Sequence, residues 1–364
     1  WALTDLVCED PTNDSSVDKT NREASINLAA GENVTCTYTN TMKGVIGGHK
    51  YEDLDGNIST SGDRVNVSGW TIQLYQNGEL KAITTTTSTG YSFGGLLPGD
   101  YTVKEVSQSG WFELSPLDGT FNVSLSPGQS TYSNNFINTQ AASVTIYKDV
   151  DTDGDGDVDI TDSKDWFWNK DGSGHYSTGT IMSMLMPGTY TFSEEQKSGF
   201  HVTSLICNNG SAGASNNYGA VESQSIAVSS GQNLVCTFTN TRDTGTIELK
   251  KVWSGTGGQT NLNIGTTVGG TDVKTVQTGT NGGAPLTTGQ QTVPTGTYYL
   301  SESGGLSDYN SSLSCTDNGQ TTTVGIDNYI SVEKDHTIIC TFTNTRNTGV
   351  LKVVKVLTND NGGT

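Results

Sequence analysis

Several ingredients of an ordinary globular protein are scarce in this chain of 364 residues. Only 16% of its residues are charged, against about 25% in a typical domain. Of these, 19 are basic and 38 acidic, for a net charge of −19. That sign excludes a nucleic-acid surface, because a phosphate backbone would be repelled. No run of about 18 apolar residues is present to cross a bilayer as a helix. Nowhere does a helical apolar spacing persist between caps, so helix should be nearly absent. The four histidines, His49, His175, His201 and His336, are scattered, and no nucleophile elbow, P-loop or HExxH motif marks an enzyme. Thr, Ser, Asn and 45 Gly fill the gaps, the composition of strand surfaces and turns. Hydrophobic residues at 32%, with glycine added, still fit a folded chain of two to four domains.

Cysteine is sparse but ordered. Six residues form three local pairs, Cys8 with Cys36, Cys207 with Cys236, and Cys315 with Cys340. Each second cysteine lies in one phrase, Cys36-Thr-Tyr-Thr-Asn40, Cys236-Thr-Phe-Thr-Asn240 or Cys340-Thr-Phe-Thr-Asn344. Zinc-type CxxC spacing is missing, which leaves one disulfide per module, or free buried thiols, as the readings. The disulfide reading implies an oxidising, extracellular location.

The phrase recurs at intervals of about 100 residues, the mark of a tandem repeat. Asn135-Phe136-Ile137-Asn138-Thr139 is a cysteine-free copy. Each copy also carries a glycine turn followed by strict alternation, Gly99 to Glu105, Gly188 to Glu194, and Gly296 to Glu302. Period two means a strand. Opening strands show the same parity, with Val144, Ile146 and Lys148, then Ile247, Leu249 and Lys251, then Leu351, Val353 and Lys355 each on one face. The expected organisation is a β-sandwich per module. Residues 1–42 form the later part of one module, 43–140, 141–242 and 243–346 are complete, and 347–364 open another. A window on a longer tandem array is favoured over donor-strand exchange between copies, since residues 1–42 lack most of a sandwich.

The densest motif is Asp151-Thr-Asp153-Gly-Asp155-Gly-Asp157-Val-Asp159-Ile-Thr-Asp162. Its spacing fits a calcium loop, with Asp151, Asp153, Asp155 and Asp159 as carboxylate ligands, Asp157 offering a carbonyl, Gly156 at the turn and Asp162 closing. Without a cation these acids repel one another; a solvated acidic hairpin turn is the alternative. The flanks read as strands, so Ca2+ here would rigidify a β-module. Trp70, Trp111 and Trp253 occupy core-like positions, whereas Trp166-Phe167-Trp168 is expected to turn a ring outward as an interface or glycan platform.

With these residues in view, the modules resemble B-type repeats of bacterial surface proteins, the prealbumin-like fold of CnaB and SpaA pilins. Residues 44–139, with His49-Lys-Tyr-Glu-Asp53-Leu-Asp-Gly-Asn57, Gly69-Trp-Thr-Ile-Gln-Leu-Tyr75, Gly90-Tyr-Ser-Phe93 and Leu97 to Glu105, resemble an SdrD-type B repeat. The cysteine modules look like SpaA-like relatives. The resemblance implies an all-β tandem array of Ig-like, prealbumin-like (CnaB-type) β-sandwiches in a rod. It also implies an intramolecular isopeptide bond, in which a first-strand Lys amine attacks a last-strand Asn beside a protonated acid. By strand parity the triads are Lys50, Asn138 and Glu105; Lys148, Asn240 and Glu194; and Lys251, Asn344 and Glu302. An apolar core would free the amine and protonate the acid. The same resemblance implies a second calcium loop formed by Asp53, Asp55 and Asn57 with Asp63.

The expected function is a non-enzymatic, extracellular stalk, pilus or filament subunit at the cell surface, braced by disulfides, Ca2+ and isopeptides. An adhesin binding a host protein or glycan through exposed loops is the alternative. Expected partners are further copies or further modules of a longer chain, with no nucleic acid and no membrane span in this segment. Short linkers such as Thr139-Gln-Ala-Ala142 and Arg242-Asp-Thr-Gly245 favour a rod.

Overall fold

Successive side chains of a strand point to opposite faces, so an alternating segment buries one set and exposes the other. Val144, Ile146 and Lys148 are accordingly buried in the strand Ala142–Asp151, as are Ile247, Leu249 and Lys251 in Thr244–Ser254. The computed structural model describes residues 1–209 and 215–356. Among them the helical content is two single 3-10 turns, Thr280–Gly282 and Ile326–Asn328. None is a helix long and apolar enough to cross a membrane.

Module 141–242 is two facing sheets. In the five-stranded sheet, the opening strand Ala142–Asp151 runs parallel to the closing strand Asn233–Arg242, which pairs antiparallel with Phe200–Asn209. The four-stranded sheet carries Gly188–Glu194 between Phe167–Lys170 and Ser223–Val228. Their inward faces meet in a core that includes Val144, Ile146, Trp168, Phe192, Leu205 and Phe238. Module 243–346 repeats this plan, with Thr244–Ser254 parallel to Thr337–Arg346 and a core around Leu249, Leu262, Leu300 and Phe342.

Module 43–140 keeps the plan but breaks its opening strand at His49 into Gly44–Gly48 and Lys50–Asp53, which join different sheets. Glycine permits the break. A Cβ on Gly48 would collide with the backbone carbonyl of Asn134, so no other residue lets the two segments close up there.

The modules follow one another almost without linker. Only Ala141 separates Phe136–Gln140 from Ala142–Asp151, and only Asp243 separates Asn233–Arg242 from Thr244–Ser254. At the N-terminus, Ala2–Glu9 pairs antiparallel with Thr35–Thr41, flanked by the small hairpin Ser16–Asp18 and Glu23–Ser25. Residues Leu351–Val356, expected to open a strand, are exposed and form none among the described residues. In the complete modules that strand is held by a ladder on each side, and 351–356 have no such neighbour here. Residues 357–364 lie outside the described residues.

All six cysteines are paired, Cys8–Cys36, Cys207–Cys236 and Cys315–Cys340, which closes the free-thiol alternative. Each bond joins directly opposed residues of the closing strand and its antiparallel neighbour.

Candidate functional site

The parallel register does the first part of the assembly. It sets Lys50 opposite Phe136, Lys148 opposite Phe238 and Lys251 opposite Phe342. The asparagine two residues beyond each phenylalanine faces the same interior. The glutamate arrives from the facing sheet, near the end of the strand that follows the glycine turn.

In all three complete modules the lysine and glutamate meet, and the asparagine hydrogen-bonds the glutamate in two of them, Asn138 having neither carboxamide atom bonded. Lys50 Nζ donates to Glu105 Oε2 at 2.6 Å, with both side chains fully buried. Lys148 Nζ donates to Glu194 Oε2 at 2.7 Å, while Asn240 Nδ2 donates to the other glutamate oxygen at 2.5 Å. Lys251 Nζ lies 2.6 Å from Glu302 Oε1 without the direction of a hydrogen bond, and Asn344 Nδ2 reaches the same oxygen at 3.5 Å. Asn138, Asn240 and Asn344 are all buried, and the carboxamide oxygen of each lacks a partner. A buried polar atom left unpaired costs free energy, so the interior is held in an uncomfortable state three times over.

Burial governs the charges. It pulls Lys50 and Lys148 down to about 8, with the adjacent glutamate opposing the change, and it lowers Lys251 as well. Burial also raises Glu105 and Glu194, against the pull of their lysines. Both trends favour a neutral amine beside a neutral acid. A tryptophan covers each amine: Trp70 at 4.3 Å from Lys50 Nζ, Trp166 at 4.3 Å from Lys148 Nζ, and Trp253 at 4.4 Å from Lys251 Nζ.

These lids were not legible in the sequence. Trp166 and Trp168 are buried, and Phe167, the outward member, is half-buried and stacked on His175 at 3.9 Å. The expected outward ring is Phe167 alone; the two tryptophans turn inward, and one of them roofs Lys148. Trp70 and Trp253, expected to serve packing alone, roof the other two lysines. Their spacing from the lysine differs in every module, so no fixed motif could have marked them.

The acidic loops gather fewer residues than expected. Asp151, Asp153 and Asp159 bring carboxylate oxygens within 4.8 Å of one another. Gly154 and Gly156 adopt positive φ, 81° and 100°, and turn their N–H groups onto the buried Asp151. Asp155 and Asp157 lie outside this trio. So does Asp162, which pairs with Lys164. The cause is an early closure: Val150 and Ile160 bridge, with Val150 N donating to Ile160 O at 2.8 Å, and Asp162 falls beyond the shortened loop. A second trio is Asp53, Asp55 and Asp63, again within 4.8 Å. Asp53 is fully buried, with Oδ2 3.2 Å from Arg64 Nε and Oδ1 unpartnered. Asn57 shapes its turn, donating from its backbone to Asp55 and accepting from Ser59 N. Sequence reading missed a third acidic group, Asp10, Asp14 and Glu32. Its oxygens accept from Thr12, Asn13, Ser15, Asn27 and Ala29, which makes it a satisfied turn.

Two SpaA-type family models, each described as a prealbumin-like fold domain, match parts of this chain. One covers residues 157–242 and the other residues 3–42 and 249–346. Over these residues the chain is a series of SpaA-type prealbumin-like domains. The N-terminal segment and module 243–346 thus share one SpaA-type description. No curated protein matches the chain. Among solved structures, the Bacillus anthracis TIE protein is similar at 15% identity and a TM-score of 0.38, covering 87% of this chain. The chain spans 54% of that protein's length. BcpA, the major pilin subunit of Bacillus cereus, is similar at 13% identity over 84% of this chain and 100% of its own, with a TM-score of 0.28. GBS52, the minor pilin of Streptococcus agalactiae, is similar at 14% identity over 56% of this chain and 96% of its own, with a TM-score of 0.23.

Proposed function

We propose that this chain is a structural segment of a cell-surface stalk or pilus, extracellular, whose SpaA-type modules are covalently closed by Lys–Asn amides. The observation that carries this reading is the threefold recurrence of a dry Lys–Glu–Asn group between the first and last strands. The chemistry is an internal transamidation. The neutral Nζ of Lys148 attacks Cγ of Asn240, and protonated Glu194, polarising the carboxamide, relays a proton to the departing nitrogen. A C–N bond forms, a C–N bond breaks, and ammonia leaves. Lys50 with Asn138 beside Glu105, and Lys251 with Asn344 beside Glu302, are the corresponding groups in the other two modules. The tryptophan over each amine keeps water out of the site.

Calcium belongs to the same reading. Asp53, Asp55 and Asp63, and Asp151, Asp153 and Asp159, are the residues that would hold it. The fit rests on the oxygen-only donor sets and on the buried, unpaired Oδ1 of Asp53. A bound cation would neutralise the repulsion within each trio. The disulfides support an oxidising location, and near-continuous strands across each junction suit a chain extended by further modules or copies.

Intact mass of the reduced, calcium-stripped protein tests the reading. The expected result is a deficit of about 17 Da for each module, from the lost ammonia, with tryptic peptides joining Lys148 to Asn240 and Lys251 to Asn344. A mass equal to that of the plain sequence overturns it.

A further inference from the structure

The loop bearing Asp53 does more than fold back on itself. The residues on either side of Asp53 hold the next module. Glu52 Oε1 accepts from Ser230 Oγ at 2.7 Å, and Leu54 O accepts from Ser230 N at 3.0 Å. The same turn grips the chain between the modules: Gln140 N donates to Ser230 Oγ at 2.8 Å, and Gly231 N donates to Gln140 O at 3.2 Å. Gly56, inside the acidic loop, lies against the Pro187 ring of module 141–242. Asp53 is thus flanked in sequence by two contacts to the neighbouring module while its own carboxylate turns into the trio with Asp55 and Asp63.

Two features mark the trio as incomplete. Asp53 Oδ1 is fully buried and has no hydrogen-bond partner, although Arg64 satisfies its other oxygen. Asp55 and Asp63 bring two more carboxylates within 4.8 Å, a repulsion that Arg64 alone does not balance. Both are relieved by a hard divalent cation, which takes oxygen ligands and draws such a loop together.

We infer that the Asp53–Asp55–Asp63 loop is a cation-operated lock on the junction between modules 43–140 and 141–242. Occupancy orders the strand end at 52–54, and that strand end is the receptor for the Ser230 turn. The inference rests on the calcium reading of this loop and adds to it a coupling between two modules. Such coupling is reciprocal: by whatever factor the cation favours docking, docking favours the cation. The other acidic loop provides a built-in contrast. Its Gly154 touches the following junction at Arg242 O and Thr244, but both oxygens of its buried Asp151 already accept from Gly154 and Gly156.

The Ser230 amide is a direct reporter, because its hydrogen ends on Leu54 O. Hydrogen exchange of the full chain should show this amide at least about ten-fold slower in calcium chloride than in chelator, a coupling of the ordinary allosteric size. Core amides of Val144 and Phe238 should not change. Calorimetric titration with calcium chloride runs in parallel, on the native chain and on the double variant Asp55→Asn, Asp63→Asn. If the double variant loses one binding event and the Ser230 response with it, the lock stands. If it loses the binding event while Ser230 in the native chain never responded, the coupling is refuted and the calcium site survives. If native and variant chains bind alike, the calcium reading of the loop fails and the lock with it. Ser230→Ala, which leaves the trio intact, should weaken calcium binding at this loop by several-fold; unchanged affinity counts against the lock.

Discussion

Module 43–140 has no disulfide and module 243–346 has one, yet both bring a lysine, a glutamate and an asparagine together in the same dry place. The difference teaches what each fastening is for. Cys315–Cys340 ties the closing strand to its antiparallel neighbour, 25 residues earlier in the sequence. Lys251 and Asn344 sit on the opening and closing strands, parallel neighbours separated by the whole module. The first closes a local hairpin; the second bears on the two strands through which the chain enters and leaves. A cysteine pair is therefore dispensable in one module, while the triad recurs in all three. The two ion pairs are equally short at 2.6 Å but differ in their surroundings, Asn138 being unbonded in the cysteine-free module. Lys50 and Glu105 are fully buried and directly bonded, whereas in module 243–346 Ser311 Oγ also donates to Glu302, and Asn344 stands 3.5 Å away.

The strongest way to break this comparison is to remove the acid. Glu105→Ala should strand the buried Lys50 and block its amide, destabilising module 43–140 by about 3–5 kcal/mol, the scale for breaking a buried pair. Glu302→Ala should cost module 243–346 less, because Lys251 is less completely paired and the disulfide remains. Denaturant melts followed by segment-resolved hydrogen exchange would read both, and equal losses would dissolve the distinction. Reduction comes next. It should take about 3–4 kcal/mol from the cysteine modules through the entropy of loops of this length, and leave module 43–140 unmoved in the same melts. The smallest effect is a pH dependence that sharpens the comparison. In Asn138→Ala, Lys50 remains a free amine with its pKa near 8 in the fold and an ordinary 10.5 when unfolded. Between those values the unfolded chain binds the extra proton, so module 43–140 should gain stability as pH rises, by up to about 3 kcal/mol. If Lys50 is consumed in the proposed amide, the native chain should show no such gain in urea midpoints at pH 8 and pH 10.

Much of this was legible because strand parity is unforgiving. Lys148 shares a face with Val144 and Ile146, so it had to enter the core with them; Asn240 shares a face with Phe238, and Glu194 with Phe192. The repeated phrases supplied the register. Less local features stayed hidden. The tryptophan over each lysine comes from Trp253 on the opening strand itself in one module and from Trp70 or Trp166, beyond that strand, in the others. The bridge between Val150 and Ile160 shortened an acidic loop whose spacing had suggested a longer one. The grip of Glu52 and Leu54 on Ser230 joins residues about 180 positions apart, a distance over which no local pattern carries information.

The placement of each lysine and asparagine near the far ends of parallel strands has one more consequence, which concerns reach. With the amides formed, the residues between Lys50 and Asn138, Lys148 and Asn240, and Lys251 and Asn344 become closed rings. Roughly three-quarters of the chain would then be unable to pay out as extended backbone, which otherwise runs to about 3.4 Å per residue. Under tension the stretch from Lys50 to Asn344 would lengthen little even if its modules unfolded, because the load would pass through the amides and the short segments 139–147 and 241–250 between them.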